Sequence, residues 1–295
     1  MTNTLNILIT GAISGFGRET AQKLAADGHR VFASARGINS KNADAASSLE
    51  QWANENQFKL KVVELDVSDD ASVTQSINSI IEEAGHLDVV VNNAGVVGFG
   101  PVEAFSIEQA QAMFDVNFFG PIRVIQAVLP GMRQRRSGLI IQISSAGGRV
   151  YLPFHGIYNS TKWAIEAIGE GLHYELASHG IDSVIVEPGI FKTEILGKVS
   201  SPDRTEINQE YAVFNKDQEV MFAKALADIE PENGPRPIWI ANAIKELVDM
   251  PAGERPIRTV VGEALTGGIR ELNQAQIIAQ RQHLKDAGLG SWNKN

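Results

Sequence analysis

The chain has 295 residues, enough for one large α/β domain or two small ones with a sizeable core. Its 43% hydrophobic and 21% charged composition is that of a soluble globular protein, and the net charge of −9 speaks against a nucleic-acid surface. There is no cysteine, which excludes disulfides, thiolate zinc sites and cysteine nucleophiles. The one basic cluster, Arg133, Arg135 and Arg136, reads as the solvated end of a helix. No secretory signal is recognised at the N-terminus, and no apolar run approaches the ~20 residues of a membrane span. A cytoplasmic protein with neither membrane nor nucleic acid as partner is expected.

In chain order, strand patterns fall at 6–10, 30–34, 59–65, 88–92, 138–144, 182–187 and 257–261. Several are nearly continuous in Val and Ile, which suits strands buried on both faces of a parallel sheet. Helical patterns at about 16–28, 69–85, 107–135, 157–179 and 239–249 lie between them. This alternation predicts an α/β fold: a Rossmann-type, doubly wound parallel sheet of seven strands, with helices on both faces. We expect a single domain over 1–295. Residues 190–237 interrupt the alternation with Pro202, Pro231, Pro235 and Pro237 and a helical pattern near 210–228. Their place after a strand's carboxyl end predicts a substrate lid. Residues 263–295 form a C-terminal extension.

The first strand runs into Gly11, Ser14, Gly15, Phe16 and Gly17, spaced Gly-x3-Gly-x-Gly and followed by a helix. Glycines there permit a tight turn and close approach of backbone to a pyrophosphate, on which the helix start directs its free N–H groups. The second strand ends in residues 33–36, Ala-Ser-Ala-Arg. A carboxylate at that end would bond a ribose 2′-hydroxyl; none is present, and the guanidinium of Arg36 suits a 2′-phosphate. NADP(H) is therefore expected over NAD(H).

Tyr158 and Lys162 stand four residues apart, on one face of a helix. A nearby ammonium stabilises phenolate, so Lys162 is expected to lower the Tyr158 pKa from ~10. Together with Asp66-Val67, Asn92-Asn93-Ala94-Gly95, Asn117, Ser145 and Pro188-Gly189, these motifs resemble the short-chain dehydrogenase/reductase family. The resemblance covers residues 5–195. The stretch 254–262 is similar to hydroxysteroid- and retinol-dehydrogenase-like members acting on hydrophobic ketones.

The resemblance implies a catalytic set of Ser145, Tyr158, Lys162 and Asn117, with Tyr158 as acid/base for hydride transfer between a nicotinamide and a hydrophobic ketone, aldehyde or alcohol. Asn117 would hold a water where its helix opens. The cofactor would lie along Gly11, Ser14, Gly15, Phe16, Gly17, Arg36, Asp66, Val67, Asn93, Ala94 and Gly95. It would continue past Tyr158, Lys162, Pro188, Gly189, Phe191 and Thr193. Asn92 would tie adjacent strands through its side chain. Ser145 stands thirteen residues before Tyr158, the family's spacing, while Ser144 points to the interior by strand alternation.

The substrate pocket is expected from 148–155, the residues after Val96, and the lid. Val150, Tyr151, Leu152, Phe154, Phe99 and Phe191 make it apolar, while His155, for want of a matching motif, reads first as a satisfied surface histidine and only second as a substrate contact. No cluster has metal-ligand spacing. A homodimer or homotetramer through helices 107–135 and 157–179 is implied. Two other readings stay open at this point: a dinucleotide-sensing regulatory protein with little catalysis, and an epimerase or dehydratase on the same fold.

Overall fold

The computed structural model describes residues 4–212, 236–263 and 266–292, and between these Lys216, Val220, Ala223 and Ala227. Its centre is one parallel sheet of β1 (Asn6–Ile9), β2 (Arg30–Ala35), β3 (Leu60–Glu64), β4 (Val89–Asn92), β5 (Gly138–Ile143), β6 (Ile181–Pro188) and β7 (Arg258–Val261). The strand order is β3-β2-β1-β4-β5-β6-β7, with every neighbouring pair parallel. The order reverses between β1 and β4. In such sheets a ligand crevice opens there, outside the carboxyl ends of the strands.

Both faces of the sheet are apolar because successive residues point to opposite sides. Ile7 and Ile9 join one core, and Leu8 joins the other. The first core is closed by α1 (Gly15–Ala26), α2 (Ala43–Glu55) and α8 (Pro237–Asp249), through Leu24, Leu49, Ile240 and Ile244. The second is closed by α3 (Asp70–Ala84) and α5 (Gly120–Arg135), through Ile77, Ile80, Val124 and Val128. Each such side chain contributes roughly 2 kcal/mol of burial free energy. The remaining helices are α4 (Ile107–Phe114), α6 (Gly156–Ala177), α7 (Thr205–Glu210) and α9 (Ile269–Asp286).

Four features depart from the sequence pattern. α2 was not anticipated because its buried face, Ala46, Leu49 and Ala53, is mostly alanine and gives little apolar contrast. α9 is polar along most of its length and buries only Ile269, Asn273 and Leu284, so the C-terminal extension contains a docked helix that periodicity does not announce. The helix expected over 107–135 is two, joined by a π-helical turn at Asp115–Phe119. That continuous run, Ile107–Arg135, is also long and apolar enough to cross a membrane by length and composition, at mean hydropathy 1.2. In the fold, Val124, Val128 and Met132 of its inner face are buried in the second core.

The first part of the expected lid is held down. Ser200 donates to Val97 O (2.9 Å), and Phe99 donates to Ser200 O (3.1 Å), pinning it to the loop after β4. Most of the helical stretch expected near 210–228, with Pro231 and Pro235, lies outside the described residues.

Candidate active site

The carboxyl ends of β1 and β4 are bolted together by side chains. Thr10 Oγ1 accepts from Asn93 N and Ala94 N, both at 3.0 Å, and Asn93 Nδ2 donates to Thr10 O (2.8 Å) and Gly11 O (3.0 Å). Asn93 thus does the tying expected of Asn92. Asn92 is the last residue of β4 and points to the other face, where its amide finds no partner among the described residues.

Over this joint lies the glycine turn. Gly11 and Gly15 have φ of +64° and +52°, in the left-handed region that side chains resist. A Cβ at Gly17 would stand 2.5 Å from both Gly11 O and Asn93 Nδ2. Only glycine lets α1 start this close to β1 and β4, so the cradle fits a pyrophosphate at the helix start. Gly15 N–H donates to Glu194 Oε2 at 3.0 Å, a carboxylate on the N–H that a phosphate would take. Glu194 was not foreseen: no motif marks it, and only the path of the chain after β6 brings it here.

A groove of about 440 Å³ runs from this turn to Tyr158. Gly11, Ser14, Gly15 and Phe16 line it, as do Arg36, Asp66, Val67, Asn93, Ala94, Gly95, Lys162 and Thr193. Gly17 lies beneath it as a packing residue. At the far end Arg36 Nη1 is 3.7 Å from Asp66 Oδ2, with the guanidinium half-exposed. Burial works to raise the Asp66 pKa, but hydrogen bonds from Ser68 and the Arg36 charge outweigh it and hold the carboxyl below its usual range. Lys41 adds an unforeseen second cation to this end. Glu64 shapes it by accepting from Gly37 N (2.6 Å) and Ile38 N (2.9 Å).

The opposite end carries Ser145, Tyr158, Lys162 and Asn117, the set expected to be catalytic. Ser145 follows β5 and caps the turn Ala146–Gly148, its Oγ accepting from Gly147 N at 3.1 Å. Ser144 is buried beneath it, as alternation predicts. Tyr158 sits in the first turn of α6 and hydrogen-bonds Ser145. Lys162, one turn on, is buried and donates to Ile143 O at 2.9 Å, its ammonium 5.9 Å from the tyrosine ring centroid.

The expected lowering of the Tyr158 pKa is not found. Burial pushes the phenol above its ordinary value, with the Ser145 hydrogen bond opposing. Lys162 donates instead to the main-chain carbonyl of Ile143, and burial lowers its own pKa to about 8 against the pull of Glu166. Asn117 lies in the π-helical turn, where the helix does open. Its side chain accepts from Val96 N (2.8 Å) and donates to Val96 O (2.8 Å) and Thr161 Oγ1 (3.0 Å). Thr161 in turn donates to Tyr158 O at 2.7 Å, a brace on α6 that sequence reasoning missed.

Beyond Tyr158 opens a second cavity of about 580 Å³. Val150, Tyr151, Leu152, Phe99 and Phe191 line it as expected; Phe154 does not, and packs instead between Phe99 and Tyr211. Pro188, Gly189 and Phe191, expected along the cofactor, border this cavity and not the groove. β6 lies on the far side of β5 from the crevice, so the chain leaving it turns over the substrate side. His155 is in the same wall, edge-on to Phe99 at 4.9 Å, and burial lowers its pKa below the usual imidazole value. Ser145 faces only this cavity, Lys162 only the groove, and Tyr158 both. Among the described residues, no three His, Asp or Glu side chains are grouped to hold a metal ion.

A phosphate cradle at the switch point, opening past Tyr158, Phe16 and Thr193 into an apolar cavity, defines a dinucleotide-binding oxidoreductase. The short chain dehydrogenase family model matches residues 5–204, and the chain belongs to that family. It is 36% identical over 258 residues to a 3-ketodihydrosphingosine reductase of Bacteroides thetaiotaomicron, covering 87% of each chain. It is 40% identical over 196 residues to retinol dehydrogenase 8 of Homo sapiens, covering 65% of this chain and 61% of that relative's length. Among solved structures it resembles an actinorhodin polyketide ketoreductase variant with NADPH, at 26% identity and a TM-score of 0.75, covering 90% of this chain and 100% of the other.

Proposed function

We propose that this oxidoreductase interconverts a bulky apolar ketone or aldehyde and its alcohol with NADP(H). The observation that carries the reading is the placement of Tyr158, whose side chain forms part of both the dinucleotide groove and the apolar cavity while bonded to Ser145. A nicotinamide, when bound, supplies or accepts the hydride. In reduction, Tyr158 gives its proton to the oxygen of the carbonyl, and Ser145 holds that oxygen as charge develops on it. Lys162, which lines the groove beside Tyr158, anchors its nicotinamide end. In oxidation the phenol must lose its proton first, and burial makes that harder; charge brought in with the cofactor is what would shift it.

The NADP(H) preference rests on Arg36, the nearby Lys41, and an adenosine pocket whose β2 end supplies no carboxylate of its own. The ketoreductase neighbour holding NADPH agrees with it. The cavity's apolar wall, together with relatives named for a ketosphingoid base and for retinol, favours a long or polycyclic hydrocarbon around the reacting carbon. Assembly into a homo-oligomer fits the exposure of Ile107, Phe119 and Trp163 on the helical run 107–135 and on α6.

The test is a ketone panel (a decalone, an aryl ketone, a long-chain methyl ketone) reduced with NADPH and followed at the nicotinamide absorbance. Tyr158→Phe should lower kcat by about 10³-fold with NADPH binding kept. Retained turnover in that variant, or no turnover of any ketone by the wild type, would sink the reading.

A further inference from the structure

Behind the active site lies a buried ionic network that the reaction itself does not use. Arg149, four residues after Ser145, turns its side chain inward rather than to solvent. Its Nε donates to Asn273 Oδ1 at 2.7 Å and lies 3.5 Å from Glu187 Oε1; its Nη2 bonds Gln276. Glu187, fully buried near the end of β6, accepts from Asn273 Nδ2 at 2.6 Å. Its Oε1 is also 3.5 Å from Arg258 Nε on β7. Arg258 reaches α6, with Nε to Glu166 Oε2 at 2.8 Å and Nη2 to Glu170 Oε2 at 2.7 Å.

The network joins the pieces that must agree for proton transfer. Arg149 leads to the turn carrying Ser145, because its N–H donates to Ala146 O (3.0 Å) while Gly148 N donates to Ser145 O (2.8 Å). Glu166 lies on α6 one turn beyond Lys162. Glu187 directly precedes Pro188 and Gly189 in the cavity wall. The turn also rests on α6 directly: a Cβ at Gly148 would stand 2.6 Å from Ser144 Oγ and 3.1 Å from Glu166 Cγ. On the outer side, α9 closes the network with two amides.

Burying three carboxylates and two guanidiniums costs desolvation free energy that well-packed apolar residues would not, so a stability role alone explains it poorly. The odd charge leaves a mark: burial and the neighbouring Glu166 push the Glu187 carboxyl up to about 7.

We propose that Arg149 and Glu187, clamped by Asn273 of the C-terminal helix, are positioning residues that fix Ser145 Oγ against Tyr158 through the 145–149 turn. This rests on the reading of Ser145 as a catalytic residue. No further chemistry is assigned to the network. Its product is geometry: a hydroxyl held where the carbonyl oxygen arrives, for which a displacement near 1 Å costs orders of magnitude in rate.

The test is a double-mutant cycle on the full chain, with NADPH and the best ketone of the panel above. Arg149→Met and Glu187→Gln are introduced together, so that no single buried charge is stranded. Combined, they should lower kcat about tenfold when Ser145 is intact, with NADPH affinity unchanged. Ser145→Ala alone should cost ~10²-fold. Adding the paired substitutions to Ser145→Ala should then cost less than about twofold, because the group they position is gone. Equal losses in both backgrounds would overturn the proposal, since a general loss of stability acts regardless of Ser145. Should the paired variant fail to fold, Gln276→Ala, which removes only the α9 bonds to Arg149 and Glu170, is carried through the same cycle. A Ser145→Ala variant with undiminished kcat would instead sink the catalytic reading of Ser145, whatever the paired substitutions do.

Discussion

The two halves of the cleft are built on different principles. The dinucleotide groove is made largely by main chain: glycines with positive φ, free N–H groups at the start of α1, and a Thr10–Asn93 bolt between two strand ends. The substrate cavity is made by side chains, Val150, Tyr151, Leu152, Phe99 and Phe191, on loops after β4, β5 and β6. Backbone shape tolerates almost no substitution and is the same for any bearer of a pyrophosphate. Side chains on loops exchange freely under a constant fold. On the function proposed above, the groove would fix the chemistry and the cavity the substrate, with Tyr158 in the wall of both.

The largest effect that would sharpen this contrast is expected at Gly17. A Cβ there meets Gly11 O and Asn93 Nδ2 at 2.5 Å, and neither can retreat without opening the bolt. Overpacking of this kind costs about 1–3 kcal/mol, roughly 5- to 150-fold in affinity if it falls on the groove. Gly17→Ala should thus weaken NADPH binding, read by fluorescence titration, towards the upper end of that range. The ketone preference of the residual activity should not change. A variant that binds NADPH normally would show that the cradle is less rigid than its contacts imply.

The same contrast explains what was legible in the sequence. The sheet, the glycine turn, Ser145, Tyr158 and Lys162 are fixed by spacing, because period and main-chain sterics translate directly into position. Glu194 and Lys41 reach the groove by the course of loops, and nothing in their spacing marks them. Pro188, Gly189 and Phe191 belong to a recognisable motif yet border the other cavity. No motif singles out Arg149, Glu187 or Arg258; only the fold shows that they are buried against one another. The sign of the Tyr158 shift does not follow from helical spacing, because spacing places an ammonium one turn away but does not say that the phenol is buried, and burial is what raises its pKa.

A smaller effect tests the adenosine end, where charged side chains face the groove. Arg36 is half-exposed and lies 3.7 Å from Asp66, free to turn to a phosphate. Arg36→Asp removes a charge-assisted contact worth about 2 kcal/mol and adds a repelling carboxylate. The Kd for NADPH should rise roughly 30-fold while that for NADH stays level or falls. An unchanged ratio of the two would place the discrimination on Lys41.

The smallest expected effect concerns the carboxylate that bonds the glycine turn in the backbone half of the cleft. Glu194 Oε2 accepts from Gly15 N–H at 3.0 Å, so in this conformation it takes the place of an anionic ligand at the start of α1. An anion at a helix N-terminus gains about 0.3–1 kcal/mol, and a phosphate arriving there must displace that gain as well as overcome the repulsion. Glu194→Gln keeps an amide oxygen for the Gly15 N–H and deletes the charge. NADPH affinity should therefore rise about threefold, and the melting temperature of the cofactor-free protein should fall slightly. Because Glu194 begins the turn Glu194–Lys198, which borders the substrate side through Ile195, the exchange would couple the two halves. Cofactor binding would release the segment that carries Ile195, and the variant should show a weaker dependence of ketone KM on NADPH concentration. An affinity that falls in Glu194→Gln would mean that the carboxylate helps hold the cofactor, and that the two halves are built independently after all.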